Sequence, residues 1–260
     1  MTLTWLYTII VLCATTIGAI TGLGGGVIIK PLFDLLGADT ATVIGFYSSV
    51  AVFTMCLVSI YKQLKQGFNF KLNILIGVSV GSLIGGYLGE LVFGLATQSL
   101  TDNMVQRIQA SLLFITLAII LLYAFYKGRI KHYAIDNWLV ATVVGLYLGT
   151  ISVFLGIGGG PLNVSLLLWL MSFTMKEAAV YSIATIFFSQ LSKLGSMYLS
   201  GALLSFNLTI LPYIMVAAIM GGYLGTLINQ HLTNQRIEQL YNTLMVVLML
   251  VSAINIYQTF

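Results

Sequence analysis

The stretch Thr21-Gly22-Leu23-Gly24-Gly25-Gly26 lies in apolar sequence, and a near copy, Leu155-Gly156-Ile157-Gly158-Gly159-Gly160, lies in the second half of the chain. Four glycines crowd into five positions in each. Such a run cannot continue a helix cheaply, because glycine loses the most backbone freedom on ordering. A short apolar segment follows each break, Val27 to Gly37 and Pro161 to Met171. At membrane depth the freed backbone groups must line a cavity or be buried in protein. Two breaks, one per half of a chain, point to the binding site of a transporter.

That membrane setting follows from composition. The 260 residues are 59% hydrophobic and only 7% charged, with a mean hydropathy of +1.01. A soluble domain of this size cannot solvate itself with so few charges. The fold class expected is therefore an all-α polytopic membrane protein, with no room for a separate soluble domain. Met1 to Ile20 is apolar but has no basic leader and no convincing cleavage site, so it is expected to be a retained helix. The basic excess, 11 against 7, lies mostly in loops and reports orientation, not nucleic-acid binding. Cys13 and Cys56 lie in apolar segments and are expected to be buried thiols. No metal-ligand spacing occurs, and neither metal nor cofactor is expected.

The rest of the chain repeats around the two breaks. Tyr47-Ser48 matches Tyr181-Ser182, and Gly85-Gly86-Tyr87-Leu88-Gly89 matches Gly221-Gly222-Tyr223-Leu224-Gly225 residue for residue. Arg107-Ile108 matches Arg236-Ile237. Ordered matches of this kind mark an internal duplication, residues 1–130 and 131–260, forming one transmembrane domain. Helices are expected at Leu3–Ile20, Val27–Leu36, Thr42–Tyr61, Leu72–Leu95 and Met104–Tyr126. The second set is Trp138–Phe154, Pro161–Met171, Ala178–Leu199, Leu208–Asn229 and Ile237–Tyr257. The two short helices have about half the length a span needs.

Charge tests how each broken segment runs. If it is a hairpin that enters and leaves on one face, the basic loops share a side: Lys62, Lys65 and Lys71; Lys127, Arg129 and Lys131; Lys176; His231 and Arg236. The loop with Asp102 and the uncharged turn Ser200–Asn207 take the other, although Arg107 borders it. That satisfies the positive-inside rule. Each half then has an odd number of crossings. The expected architecture is two inverted repeats, each a broken-helix hairpin plus three transmembrane helices, with both termini extracytoplasmic. Gly77, Gly81, Gly85 and Gly89, repeated in part by Ala217, Gly221 and Gly225, read as smooth ridges for close helix packing.

Each break ends at a helix N-terminus, whose free N–H groups and dipole favour an anion. Gly24, Gly25, Gly26, Gly158, Gly159 and Gly160 are thus the first candidate substrate-binding residues. The plainer reading is that the glycines only permit a packed kink. The surrounding sequence has neither the strand–helix–strand context of a dinucleotide fold nor a phosphate-loop Gly-Lys-Ser/Thr. Around the breaks, Ser182, Thr185, Ser189, Ser192, Lys193 and Ser196 share one helical face by their spacing, with Gln190 flanking it and Ser48 on the matching helix. Lys193 either supplies a full positive charge near the path or snorkels to the surface. Lys30, one turn beyond the first break, either faces the substrate with Asp34 holding it or forms a hydrated i,i+4 pair. Asn163 is placed to donate an amide hydrogen bond at the second helix start. Glu90 reads as an interfacial carboxylate, or more sharply as a proton site. His132 and His231 fall in loops and are not read as ligands.

These residues resemble the sulfite exporter TauE/SafE family, also called the toluene sulfonate uptake permease family. The resemblance rests on the two glycine breaks, the two Tyr-Ser pairs at Tyr47-Ser48 and Tyr181-Ser182, and the two Gly-Gly-Tyr-Leu-Gly segments, and it covers nearly the whole chain. It implies a multi-pass carrier of the inner membrane for small sulfur anions such as sulfite, sulfonates and sulfoacetate, coupled to protons. The resemblance places the substrate at the breaks and their neighbours; Lys30 and Lys193 are added from position alone. Expected partners are a small anion, protons and the lipid bilayer, with a homodimer compatible and nucleic acid not expected. Alternatives are a passive small-anion channel built on the same helix ends, a carrier for another small carboxylate, and a membrane-embedded enzyme. The last is disfavoured because the spans hold no nucleophile–base pair.

Overall fold

The computed structural model describes residues 2–126 and 133–258. The loop carrying Lys127, Arg129, Lys131 and His132, where the two halves join, lies outside the described residues. Ten α-helices follow in order: α1 (Thr2–Thr21), α2 (Gly26–Leu36), α3 (Ala41–Lys65), α4 (Leu72–Ser99), α5 (Asp102–Tyr126), α6 (Trp138–Phe154), α7 (Gly160–Met171), α8 (Met175–Leu199), α9 (Leu211–His231) and α10 (Asn234–Gln258). Two short 3-10 turns, Ala202–Ser205 and Leu208–Ile210, lead into α9. Every expected helix is present, displaced by a few residues at its ends. Thr40, Asn137 and Thr174 cap α3, α6 and α8 with their side chains, satisfying orphan N–H groups. Six helices are long and apolar enough to cross a bilayer: α1, α3, α4, α5, the segment Leu208–His231, and α10. Helix α8 is 25 residues long but carries the polar stripe, and protein surrounds much of it.

Both broken segments are hairpins. In the first, the Tyr7 ring stacks on Phe33 at 3.9 Å and its hydroxyl donates to Asp39 at 2.7 Å, so the end of α2 returns to the start of α1. In the second, the N–H groups of Tyr133 and Ile135 donate to the carbonyls of Trp169 and Leu170 at 3.0 Å, so the end of α7 returns to the approach of α6. The first hairpin opens where the Ala41 N–H meets the Asp102 carboxylate at 2.9 Å. The second opens near the start of α8, where Lys71 N–H donates to Tyr181 at 2.5 Å and Lys176 donates to the Gln230 carbonyl at 3.0 Å. Helix α3 runs from the first of these ends to the second, about 37 Å at 1.5 Å per residue. Lys62, Lys65, Lys71, Lys176, His231 and Arg236 thus gather at one end of the bundle, and Asp34, Asp39 and Asp102 at the other.

The glycine ridges are packing seams, and they join the two halves. Helix α4 lies along α6, and α9 along α1. A Cβ on Gly77, Gly81, Gly85 or Gly89 would run into the carbonyls of Trp138, Thr142, Leu146 and Thr150 in turn, one turn of α6 after another. Gly221 and Gly225 meet Leu12, Thr15 and Thr16 of α1 in the same way. Cross-half contact is reciprocal elsewhere: α3 packs on α9 as α4 packs on α8, and α5 packs on α10. One expectation fails here. Cys56 is buried, but Cys13 is exposed on the outer face of α1, because that face turns away from the α9 seam.

These seams predict an inverted mutational sign. Glycine to alanine in a helix ordinarily gains about 1 kcal/mol. Gly81→Ala should instead lose about 1–3 kcal/mol, since the methyl overlaps the Thr142 carbonyl and two backbones must separate. Gly94→Ala, on the same helix with open space around it, should be neutral or stabilising. Thermal unfolding of the detergent-solubilised protein decides it: a Gly81→Ala protein melting at or above the wild-type temperature would contradict the seam.

Candidate functional site

The two breaks meet in the interior. Residues Thr21 to Gly26 and Leu155 to Gly160 are all buried. Their backbones follow the same path, with positive φ at Gly22, Gly24 and Gly25 and at Gly156, Gly158 and Gly159. At Gly25 and Gly159, the caps of α2 and α7, φ is 76° in both, a conformation that L side chains rarely adopt. The first turn of α2 starts against the Ile157 carbonyl of the other break, and that of α7 starts against the backbone of Leu23. Gly24 and Gly158 both lie against the same two side chains, Val52 of α3 and Ile186 of α8. Neither short helix has a side-chain cap. Ile28 and Ile29 N–H donate back to Gly25, and Asn163 N–H to Gly159, so the N–H groups ahead of them have no acceptor inside their helix. The result is two positively polarised helix ends without side-chain caps, each packed against the backbone of the other break in one buried place.

Two lysines converge on it. Lys30 is 2% exposed, and its Nζ donates to Asp34 Oδ2 at 2.7 Å. Its Cδ and Cε pass Gly156 of the second break, where a Cβ would stand 3.1–3.2 Å from them. Lys193 is also 2% exposed, which excludes snorkelling. Its Nζ donates to the Gly45 carbonyl at 3.3 Å, stands 3.9 Å from Glu90 Oε2 and 5.6 Å from the centre of the Phe93 ring. Gly45 is the shared point: the same glycine borders Gly156 and Lys193 Nζ. Intramembrane charges are expensive and mark pathways. Here each is held by one carboxylate, at hydrogen-bond distance for Lys30 and at a longer Coulombic distance for Lys193.

Polar groups with unspent capacity face the second tip. Asn163 is fully buried, and neither its Oδ1 nor its Nδ2 has a hydrogen-bond partner. A Cβ on Gly159 would lie 3.2 Å from that Oδ1. Gln190 is 2% exposed, its Nε2 is 3.9 Å from the Cβ position of Gly158, and its Oε1 has no partner.

Other expected residues hold the site without presenting free groups to it. Ser182 Oγ donates to the Gly22 carbonyl at 2.6 Å, tying α8 to the first break, and Ser48 Oγ sits beside Gly26. Thr185 and Ser189 donate to carbonyls of their own helix, Tyr181 and Ile186. Tyr47 and Tyr181 spend their hydroxyls at the two ends of the bundle, on the Asn207 carbonyl at 3.1 Å and the Lys71 N–H. Sequence reading missed Gly45, Gln109, Ser252 and Asn255. Isolated polar residues in otherwise apolar helices were the available signal for the last three.

The profile described as Sulfite exporter TauE/SafE matches residues 7–255. The chain belongs to this family. It is also similar to a protein of Bacillus subtilis (strain 168) named "Probable membrane transporter protein YunE", at 27% identity over 267 residues, covering 95% of each chain. The matched range takes in both breaks, both lysines, helices α2 to α9 and most of α1 and α10. A TauE/SafE protein is a multi-pass membrane transporter, and that much holds for this chain.

Proposed function

We propose that this TauE/SafE protein is a secondary carrier for a small sulfur-containing anion of the sulfite, sulfonate or sulfoacetate class, working by alternating access across the cytoplasmic membrane. The observation that carries the reading is the meeting of two uncapped helix N-termini, one from each hairpin, beside two buried lysines. Amide N–H groups and two ammonium groups suit an oxyanion of one or two charges. A broken helix in each half, contributing to one central site, is the arrangement of carriers built from inverted repeats. Residues 1–130 and 131–260 are the repeats on this reading. The lysine-rich end is cytoplasmic by the positive-inside rule, which puts both termini outside. The tips touch, so an anion enters only when one hairpin parts from the other, and the small-residue seams α4–α6 and α1–α9 are surfaces on which such rocking can occur.

Reconstitution tests it. Proteoliposomes preloaded with unlabelled sulfite should take up radiolabelled sulfite in a saturable way, and sulfoacetate or a simple sulfonate should compete. Absence of saturable exchange for all three anions would end the substrate assignment. Single-channel currents far above carrier turnover would replace the carrier by a channel.

A further inference from the structure

We infer that Asp34 is the proton-binding site coupled to anion movement, served by a polar seam between α2, α5 and α10. This rests on Lys30 belonging to the anion site proposed above. Lys30, Asp34, Gln109, Ser252 and Asn255 line a narrow void of about 10 Å³, bordered also by Leu155 and Ile157 of the second break. Asp34 gives one carboxylate oxygen to Lys30, and the other, Oδ1, is buried without a partner. Gln109 Oε1 and Ser252 Oγ are likewise buried and unpartnered. Gln109 and Ser252 are 2% and 0% exposed. Three unsatisfied polar atoms around a void of that size suit a single water, since internal waters bond such groups. Beyond Asp34 and Asn255 the void leads into a wider crevice of about 170 Å³, bordered by Asn103, Gln106 and Gln258 at the acidic end. Asn255 ties the neck by donating to the Pro31 carbonyl at 3.0 Å. The Asp34 carboxylate, near the acidic end of the bundle, thus has a polar route to that face.

The groups around Asp34 allow a switch. Lys30 is the cation beside it on α2. Tyr7 of α1, bonded to Asp39, is within electrostatic reach, and Lys193 of α8 lies beyond Lys30. Helices α5 and α10 present neutral amides and a hydroxyl to the void, while Asp102 accepts from Gln106 of the crevice at 3.0 Å and Arg107 follows Gln106 in sequence. When a proton from the crevice joins Asp34, the carboxylate becomes a neutral acid and Lys30 loses its counter-charge. The ammonium, whose methylene stem already passes Gly156, then swings from Asp34 to take an anion at the helix tips as its new partner. Proton and anion charge change together, and the interior never carries Lys30 unpaired. Glu90, the carboxylate favoured from sequence, pairs with Lys193 and does not border this void.

Two measurements test the switch. In proteoliposomes with an acid exterior, a gradient of one pH unit can sustain at most about a tenfold accumulation per proton carried. Wild-type protein should approach it with sulfite; Asp34→Asn should exchange sulfite but accumulate none, and Asp136→Asn, at an exposed position before α6, should accumulate normally. Asp34→Asn that accumulates sulfite as wild type does would overturn the proposal. The second readout needs no substrate. Acidifying the purified protein should produce the infrared carbonyl band of a protonated buried carboxyl, present in Glu90→Gln and missing in Asp34→Asn. If the band persists in Asp34→Asn, or is absent from the wild type, Asp34 is not the proton site. If the band behaves as expected while no variant exchanges sulfite, the substrate is wrong and the proton site stands.

Discussion

Lys193→Met should reduce sulfite transport about a hundredfold in kcat/KM while the protein still folds and inserts. Removing one member of a buried charge contact costs about 2–5 kcal/mol, about 30- to 5,000-fold in rate, and a hundredfold lies within that span. Methionine keeps the length and fills the slot beside Phe93, so packing survives. The charge has two uses that must be separated. Lys193 neutralises Glu90 at 3.9 Å, and on the proposed function it also attracts the anion. The single variant leaves Glu90, with a side chain 17% exposed, short of its counter-ion, so the melting temperature should fall. The double variant Lys193→Met/Glu90→Gln removes both charges and should recover stability but not transport. Transport regained together with stability would make Lys193 a structural ion and remove it from the path.

That prediction shows where sequence reading reached and where it stopped. The spacing of Ser182, Thr185, Ser189 and Lys193 placed the lysine on an inward face of α8, because i,i+3 and i,i+4 neighbours share a face. Nothing local tied it to Glu90 or to Gly45, which come from other helices far along the chain. The i,i+4 pair Lys30–Asp34 was legible for the same reason that it forms: both partners sit on one short helix. The glycine ridges were legible as ridges. Their partners were not, since α4 chooses α6 and α9 chooses α1 across the halves, and a small-residue stripe names no partner. The hairpins could be argued from the positions of Lys176 and Arg236 because loop charge is read by the membrane. The exposure of Cys13 was not, because an apolar helix in lipid has no polar face to mark which side turns outward. Gln109, with its Oε1 unpartnered, and Ser252 escaped notice because a lone polar residue gains meaning only from the void that it faces.

Asn163→Leu should make the protein more stable and less active. Asn163 sits in the first turn of α7, fully buried, with both ends of its amide unpaired. A buried polar group left unsatisfied costs about 1–3 kcal/mol, and an isosteric apolar side chain removes that cost. Leucine is close to asparagine in shape, so the melting temperature should rise by a few degrees, about 2–4 °C per kcal/mol for a chain of this size. The amide is placed beside Gly159, where an anion held by the α7 N-terminus would accept its N–H. Without it the site loses one hydrogen bond to a charged group, about 1.5–3 kcal/mol. The expected result is a fall of at least about tenfold in kcat/KM for sulfite, and weaker thermal stabilisation by sulfite. Asn163→Asp sharpens the test. It keeps the size but sets a negative charge where the anion should sit, and its loss should exceed that of the leucine variant. A leucine variant that melts lower and transports normally would mean that Asn163 serves the fold, and the second helix tip would then have no side chain waiting for a ligand.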